Sequence, residues 1–262
     1  MCKGKVYLVG AGPGNPELLT VKAHRLLERA DLVLHDDLVT PAILAISGPH
    51  AQICNVGKRC GAKAVTQAEI NTRMIEGARQ GLEVVRLKGG DASIFGRLAE
   101  ELDALAAAAV PFEVIPGVTA GIAAAAMLCV SLTDRRKSSR VVIVSGHQAH
   151  SGEKPEKTDW RAVASQDATL VIYMPGRDFG ALRSELLSAG LPLDMPAVIV
   201  SRATMPDQRH IRTTLGLIDQ LPRLEPPATL LIGWSLDRVG RGDGGDGASL
   251  ALQQAELLLS SL

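Results

Sequence analysis

Five short apolar segments, at residues 6–9, 31–35, 52–56, 84–88 and 112–115, alternate with longer amphipathic stretches from the start of this chain. Successive parallel strands need a crossover, and each intervening stretch is long enough to supply one. In residues 17–30, Leu18, Leu19, Val21, Leu26 and Leu27 recur at helical spacing. Residues 67–80 follow Thr66, which with Glu69 reads as a capping box. Alternation of this kind predicts a mainly parallel sheet covered by helices on both faces.

The second half continues in the same class. A helix over residues 117–130 leads into the polar connector Ser131-Leu132-Thr133-Asp134-Arg135-Arg136, which marks the expected domain boundary. Strands are expected at 141–144, 169–174, 197–201, 210–214 and 229–233, with a helix near 178–188 and a polar insertion near 152–159. Late strands lying close together can pair antiparallel, so the second sheet is expected to be mixed. The organisation predicted is α/β throughout: an N-terminal domain at 1–134, a C-terminal domain at 135–239, and a glycine-rich tether with a short terminal helix at 240–262. No internal repeat is visible.

The loops at the strand ends carry the chemistry. Residues 84–101 read VVRLKGGDASIFGRLAEE and residues 6–15 read VYLVGAGPGN, so two apolar strands each run into glycines. Side by side, Gly89 and Gly90 let a ligand approach the main chain, since no Cβ intervenes. Asp91 offers an acceptor ahead of a helix expected to start at about Ser93 or Ile94, with Phe95, Leu98, Leu102 and Leu105 on its buried face. The GAGPGN loop is not a dinucleotide fingerprint, because GxGxxG needs glycine where Asn15 stands and Pro13 disturbs the turn. No GxxxxGK[ST] follows. The loop is then either a ligand platform or a plain tight turn.

Asp36 and Asp37 stand just past a buried strand, where open α/β sheets place their chemistry. Lys58 and Arg59 leave the next strand between Gly57 and Gly61, so Asp36 and Lys58 could share a cleft. Simple capping by the acids and a solvated basic turn are the alternatives. Small residues around Gly117, Thr119 and Ala120 suit either close ligand approach or helix packing. His147, at a strand end, reads as a hydrogen-bonded histidine rather than a catalyst.

Composition narrows the classes. The 262 residues are 46% hydrophobic and 21% charged, which suits a globular protein and excludes coiled coil and wholesale disorder. With 28 basic and 28 acidic residues the net charge is zero, so no broad field favours nucleic acid. The 3% aromatic content argues against base-stacking platforms. Cys2, Cys54, Cys60 and Cys129 form no CxxC pair, the six histidines show no ligand spacing, and no apolar signal run opens the chain. The expectation is a cytoplasmic protein with reduced thiols, no metal site and no membrane span.

These segments together resemble the uroporphyrinogen-III C-methyltransferase branch of the tetrapyrrole methyltransferase family, over nearly the whole chain to about Val239. The glycine loop at residues 10–15 with Leu18-Leu19-Thr20 matches the family's GAGPGD loop, and His35-Asp36-Asp37-Leu38-Val39 its YDxLV segment. Residues 57–61 with Gln67-Ala68-Glu69-Ile70-Asn71 match GKRxG and QxxIN, the branch-specific part. Residues 86–97 match RLKGGDPxxFGR, with Ala92 for proline. His35 replaces a tyrosine, and Asp134 stands where relatives have histidine, which removes a cation that Arg135 and Arg136 are expected to replace.

The resemblance implies two α/β domains with the active site in the cleft between them, and a homodimer. It implies S-adenosylmethionine (S-adenosyl-L-methionine) as donor and uroporphyrinogen III as acceptor, with methylation at C2 and C7 giving precorrin-2 for siroheme or cobalamin. Carried over by position, Asp36 is the proton acceptor and Lys58 the proton donor. Donor contacts fall on Pro13, Gly89, Gly90, Asp91, Ile94, Thr119, Ala120, Met174, Ala203 and Ala228. The activated methyl needs neither a metal nor an enzyme nucleophile. An acceptor with eight carboxylates calls for cations, with Lys58, Arg59, Arg97, Arg135 and Arg136 as candidates. A methyltransferase of this fold acting on a later precorrin or on ribosomal RNA, a nicotinamide-linked oxidoreductase, and an inactive binding protein are the competing readings. Neutral charge speaks against RNA, the broken fingerprint against nicotinamide, and the presence of Asp36 and the GGD loop against inactivity.

Overall fold

The computed structural model describes residues 4–57, 65–146, 158–176, 178–222 and 224–238. Lys58, Arg59 and Cys60, the 152–157 part of the polar insertion, His147 and the 240–262 tail lie outside the described residues. The chain divides into two compact units, Met1–Ala120 and Gly121–Leu262. This division falls before the connector at 131–136, because the alanine-rich helix packs with the second sheet rather than the first. Ala124, Ala125, Leu128 and Leu132 cluster with Val171, Val198, Val200 and Leu231.

The first unit is a five-stranded, all-parallel sheet of β1 (Lys5–Gly10), β2 (Leu32–His35), β3 (Gln52–Asn55), β4 (Glu83–Lys88) and β5 (Phe112–Ile115), in the order β3-β2-β4-β1-β5. On one face α1 (Val21–Arg29) and α2 (Pro41–Leu44) cover Val9, Val33, Val85 and Leu87. On the other α3 (Gln67–Arg79) and α4 (Leu98–Ala107) cover Val6, Leu8, Leu34 and Val84. Thr66 and Glu69 close the expected capping box at the start of α3.

Two helices begin later than their patterns predict. Residues 17–30 split into a 3₁₀ turn, Pro16–Leu18, and α1. Asn15 caps the turn by accepting from Glu17 N, and Thr20 caps α1 by accepting from Ala23 N, so two caps in succession interrupt one amphipathic run. The expected helix at Ser93 or Ile94 starts only at Leu98. Phe95 and Arg97 sit at φ 51° and 55°, incompatible with a right-handed helix, and Phe95 is exposed rather than buried. Leu98, Leu102 and Leu105 do pack toward the sheet.

The second unit is the expected mixed sheet. It comprises β6 (Arg140–Ser145), β7 (Ala168–Tyr173), β8 (Pro196–Ser201), β9 (Arg209–Thr214) and β10 (Ala228–Ile232), in the order β6-β7-β10-β8-β9. Only β6 and β7 are parallel; β10 is antiparallel to both neighbours, and β8 pairs antiparallel with β9. The helix α5 (Ala120–Met127) covers one face, while α6 (Trp160–Val163) and α7 (Phe179–Ser188) contribute Trp160, Leu182 and Leu186 to the other. Small residues let α5 sit close: a Cβ at Gly121 would stand 2.4 Å from Val171 Cγ1, and Gly121 N donates to the Tyr173 hydroxyl at 2.6 Å. Packing therefore accounts for the glycine and alanines of α5.

Candidate active site

All five parallel strands of the first unit point their C-terminal ends the same way, so the loops after β1, β2, β4 and β5 gather at one sheet edge. Three of these loops interlock through bare backbone. Gly12 N donates to Gly90 O at 3.0 Å and Gly90 N to Gly12 O at 2.7 Å, which joins the loops after β1 and β4. The loop after β5 closes on both. A Cβ at Gly117 would lie 2.3 Å from the Gly90 carbonyl oxygen and 2.8 Å from Gly10 Cα, so no side chain fits there. Asp91 then ties the knot: its Oδ2 accepts from Gly117 N at 2.9 Å and its Oδ1 from Ser93 N at 2.8 Å and from the Ser93 hydroxyl. Burial alone would raise the Asp91 pKa, but these bonds outweigh it and hold the carboxyl below the usual range.

Gly90 itself sits at φ 69°, which favours glycine, and the space over its Cα opens toward Thr119 Cα and Ala120 N at 3.7 and 3.8 Å from a notional Cβ. Gly90 thus faces Thr119 and Ala120; Pro13, in the loop after β1, is buried, and Ile94, in the loop after β4, is half-buried. Gly90→Val would place a branched side chain in that space at an unfavourable φ. If the donor that the resemblance implies lies on this loop, the variant should fold but lose it; calorimetry showing unchanged S-adenosylmethionine affinity would contradict the placement.

Asp36 is attached to the same assembly. Its Oδ2 accepts from Gly89 N at 3.1 Å and its Oδ1 from Leu38 N at 3.0 Å, so the loop after β4 sets the carboxylate's position. His35 is buried, its Nδ1 2.9 Å from the Asp36 carbonyl oxygen. Asp37 points elsewhere, its Oδ1 accepting from Asn55 Nδ2 at 2.8 Å. Lys58 falls outside the described residues, so no geometry bears on its expected partnership with Asp36.

Beneath the loops lies a group of residues that the sequence pattern did not single out. Arg86 and Lys88 alternate on the α4-facing side of β4, and Glu101 of α4, fully buried, reaches both: its Oε1 accepts from Arg86 Nε at 3.0 Å and its Oε2 from Lys88 Nζ at 2.5 Å. Gln67 Nε2 also donates to Oε1 at 3.3 Å, and Arg86 Nη1 donates to the Leu34 and Leu87 carbonyls. The sequence did hold a signal. Two cations on a strand covered on both faces need an internal anion, and the helix after the glycine loop carries it.

In the second unit Met174, Ala203 and Ala228 also share a sheet edge. Met174 follows β7, Ala203 follows β8, and Ala228 begins the antiparallel β10, paired with Ser201. Met174 stands at φ 47° and is half exposed, whereas Ala203 is buried. Among the cation candidates, Arg97 is engaged by Glu100 at 2.7 and 2.6 Å, and Arg136 by Asp134 at 2.9 and 2.6 Å. Asp134 thus occupies one of the two arginines expected to compensate for it. Arg135 is exposed, and Arg59 lies outside the described residues. Among the described residues no group of three His, Cys, Asp or Glu could hold a metal ion, and no helix is long and apolar enough to cross a membrane.

Residues 5–219 match the family model described as Tetrapyrrole (Corrin/Porphyrin) Methylases. The chain is 45% identical to a siroheme synthase of Zymomonas mobilis over 88% of its own length, and it spans 49% of that longer relative. It is 42% identical to a uroporphyrinogen-III C-methyltransferase of Synechocystis, with 88% of each chain covered. Among solved structures, a uroporphyrin-III C-methyl transferase from Thermus thermophilus complexed with S-adenosylhomocysteine superimposes with a TM-score of 0.79 at 36% identity, covering 94% of this chain and 99% of that one.

Proposed function

The chain belongs to the tetrapyrrole methylases, and from that premise we propose that it is a C-methyltransferase converting uroporphyrinogen III to precorrin-2 with two methyl groups from S-adenosylmethionine. The observation that carries this reading is the knot of Gly10, Gly90 and Gly117, which leaves backbone bare beside Thr119 and sets Asp36 on the Gly89 amide. The donor contacts in the first unit are assigned to Pro13, Gly89, Gly90, Ile94, Thr119 and Ala120; Met174, Ala203 and Ala228 are carried over by position from the resemblance. Asp91 is a donor contact by the same resemblance, and its carboxylate also ties the loop.

The chemistry needs little else. The electron-rich pyrrole carbon bonds to the methyl as the sulfur–methyl bond breaks, and the sulfonium leaves as a neutral thioether. The chain's task is alignment of the two reactants, followed by removal of the proton that the methylated macrocycle must lose. Asp36 accepts that proton, and Lys58 acts as proton donor. We also read the protein as a cytoplasmic homodimer; Cys54 and Cys129 are free thiols, which suits a reducing compartment.

The test is transfer of labelled methyl from S-adenosylmethionine to uroporphyrinogen III. Label recovered in the tetrapyrrole fraction supports the reading, and its absence with active donor overturns it. The cofactor class has a cheaper check. S-Adenosylhomocysteine at a hundredfold excess over its dissociation constant should stabilise the fold by about 2.7 kcal/mol, whereas NAD and NADP should not raise the melting temperature, since the fingerprint breaks at Asn15. Stabilisation by a nicotinamide dinucleotide alone would reverse the assignment.

A further inference from the structure

The buried cluster under the glycine loop does not balance its own charge. Arg86 and Lys88 contribute two cations and Glu101 one anion, and all three side chains are at most 7% exposed. Burial penalises a charge heavily unless it is paired, so the surplus positive charge needs a counter-charge within the fold. The charged groups that bear on Lys88 are Arg86 on its own strand, Glu101 and Glu100 from α4, and Asp36 after β2. Glu100 is exposed and already forms a bidentate pair with Arg97. Among the described residues that leaves Asp36: His35 pairs with Leu87 in register, so Asp36 and Lys88 come next to one another on adjacent strands, and Gly89 holds Asp36 by its amide. Burial lowers the Lys88 pKa, and the neighbouring Glu101 and Asp36 carboxylates oppose that fall.

We propose that Lys88 is a positioning residue whose buried ammonium is the counter-charge of Asp36, so that the Arg86–Glu101–Lys88 cluster fixes the site's carboxylate against the glycine loop. The strand delivers this in two consecutive residues: Lys88 supplies the charge from below and Gly89 the hydrogen bond from the edge. Glu101 keeps Lys88 in place, and Arg86 anchors Glu101 to the β2 and β4 carbonyls. The functional part of the inference rests on the reading of Asp36 as the base.

The coupling is reciprocal, so it is measurable from the lysine without assaying turnover. Lysine side-chain carbons are followed by NMR against pH in the wild type, Asp36→Asn and Asp37→Asn, with Lys88→Arg assigning the signal. Removal of the counter-charge should move the Lys88 titration to lower pH in Asp36→Asn and leave it in place in Asp37→Asn. Coincident Lys88 titrations in the wild type and Asp36→Asn would overturn the proposal. Kinetically, Lys88→Met should cut turnover about tenfold through lost placement of Asp36, with donor affinity within about twofold, and Lys88→Arg should recover most of it. A merely structural lysine would instead show reduced stability with turnover per folded molecule unchanged. If the wild type transfers no methyl to uroporphyrinogen III while Lys88 still follows Asp36, the functional reading fails and the counter-charge stands.

Discussion

Asp36→Asn should lower single-turnover methylation of uroporphyrinogen III by roughly 10²–10⁴-fold, the usual contribution of a general acid–base group. The substitution keeps the side chain's shape and one acceptor oxygen for the Gly89 or Leu38 amide, but removes its basicity. Donor affinity should barely change, because the lost interaction belongs to the transition state. Asp37→Asn is the matched control: that exposed carboxylate accepts from the Asn55 side-chain amide, and no role falls on it. An Asp36→Asn enzyme that methylates at the unmodified rate, or an inactive Asp37→Asn enzyme, would show that the base is misassigned.

The second large effect is on stability. Glu101→Gln removes the one anion between two buried cations and should cost about 3–5 kcal/mol, the range for breaking a buried pair. The loss should depend on pH in a definite direction. The Lys88 pKa is lowered in the folded protein, chiefly by burial, and without Glu101 it should fall further. A lysine whose folded pKa lies below its unfolded value releases its proton first in the folded state, so stability rises with pH between those values. The deficit relative to wild type should therefore be greatest near neutrality and shrink toward about pH 10, where the unfolded lysine also titrates. Denaturant melts of the two proteins across that range measure it. A deficit that grows with pH would mean that Lys88 stays charged for another reason.

The features that periodicity governs were legible in the chain. Five apolar strands with amphipathic crossovers implied a parallel sheet, and Thr66 with Glu69 located the start of α3 within a residue. Backbone features that leave no periodic trace were not. Nothing in SIFGR announces positive φ at Phe95 and Arg97, so an apolar residue read as core became an exposed loop residue and α4 began late. The alanine-rich helix was assigned to the first domain because its connector is polar; its packing partners Val171, Val198 and Leu231 lie far along the sequence. The strand-end loops were readable as a site because glycines, Asp36 and small residues recur there. What they do to one another was not: Asp91, expected among the donor contacts, also ties Gly117 and Ser93 together. Arg86 and Lys88 were not singled out, because their partner Glu101 lies on the following helix and only the packing of α4 on β4 brings it to them.

The most direct measurement is of the product itself. The protein is incubated with excess S-adenosylmethionine and uroporphyrinogen III, and the tetrapyrrole's methyl groups are counted by mass and located by carbon-13 label. The account predicts two methyl groups, at C2 and C7. An unmethylated macrocycle, or label carried only at other carbons, would contradict it.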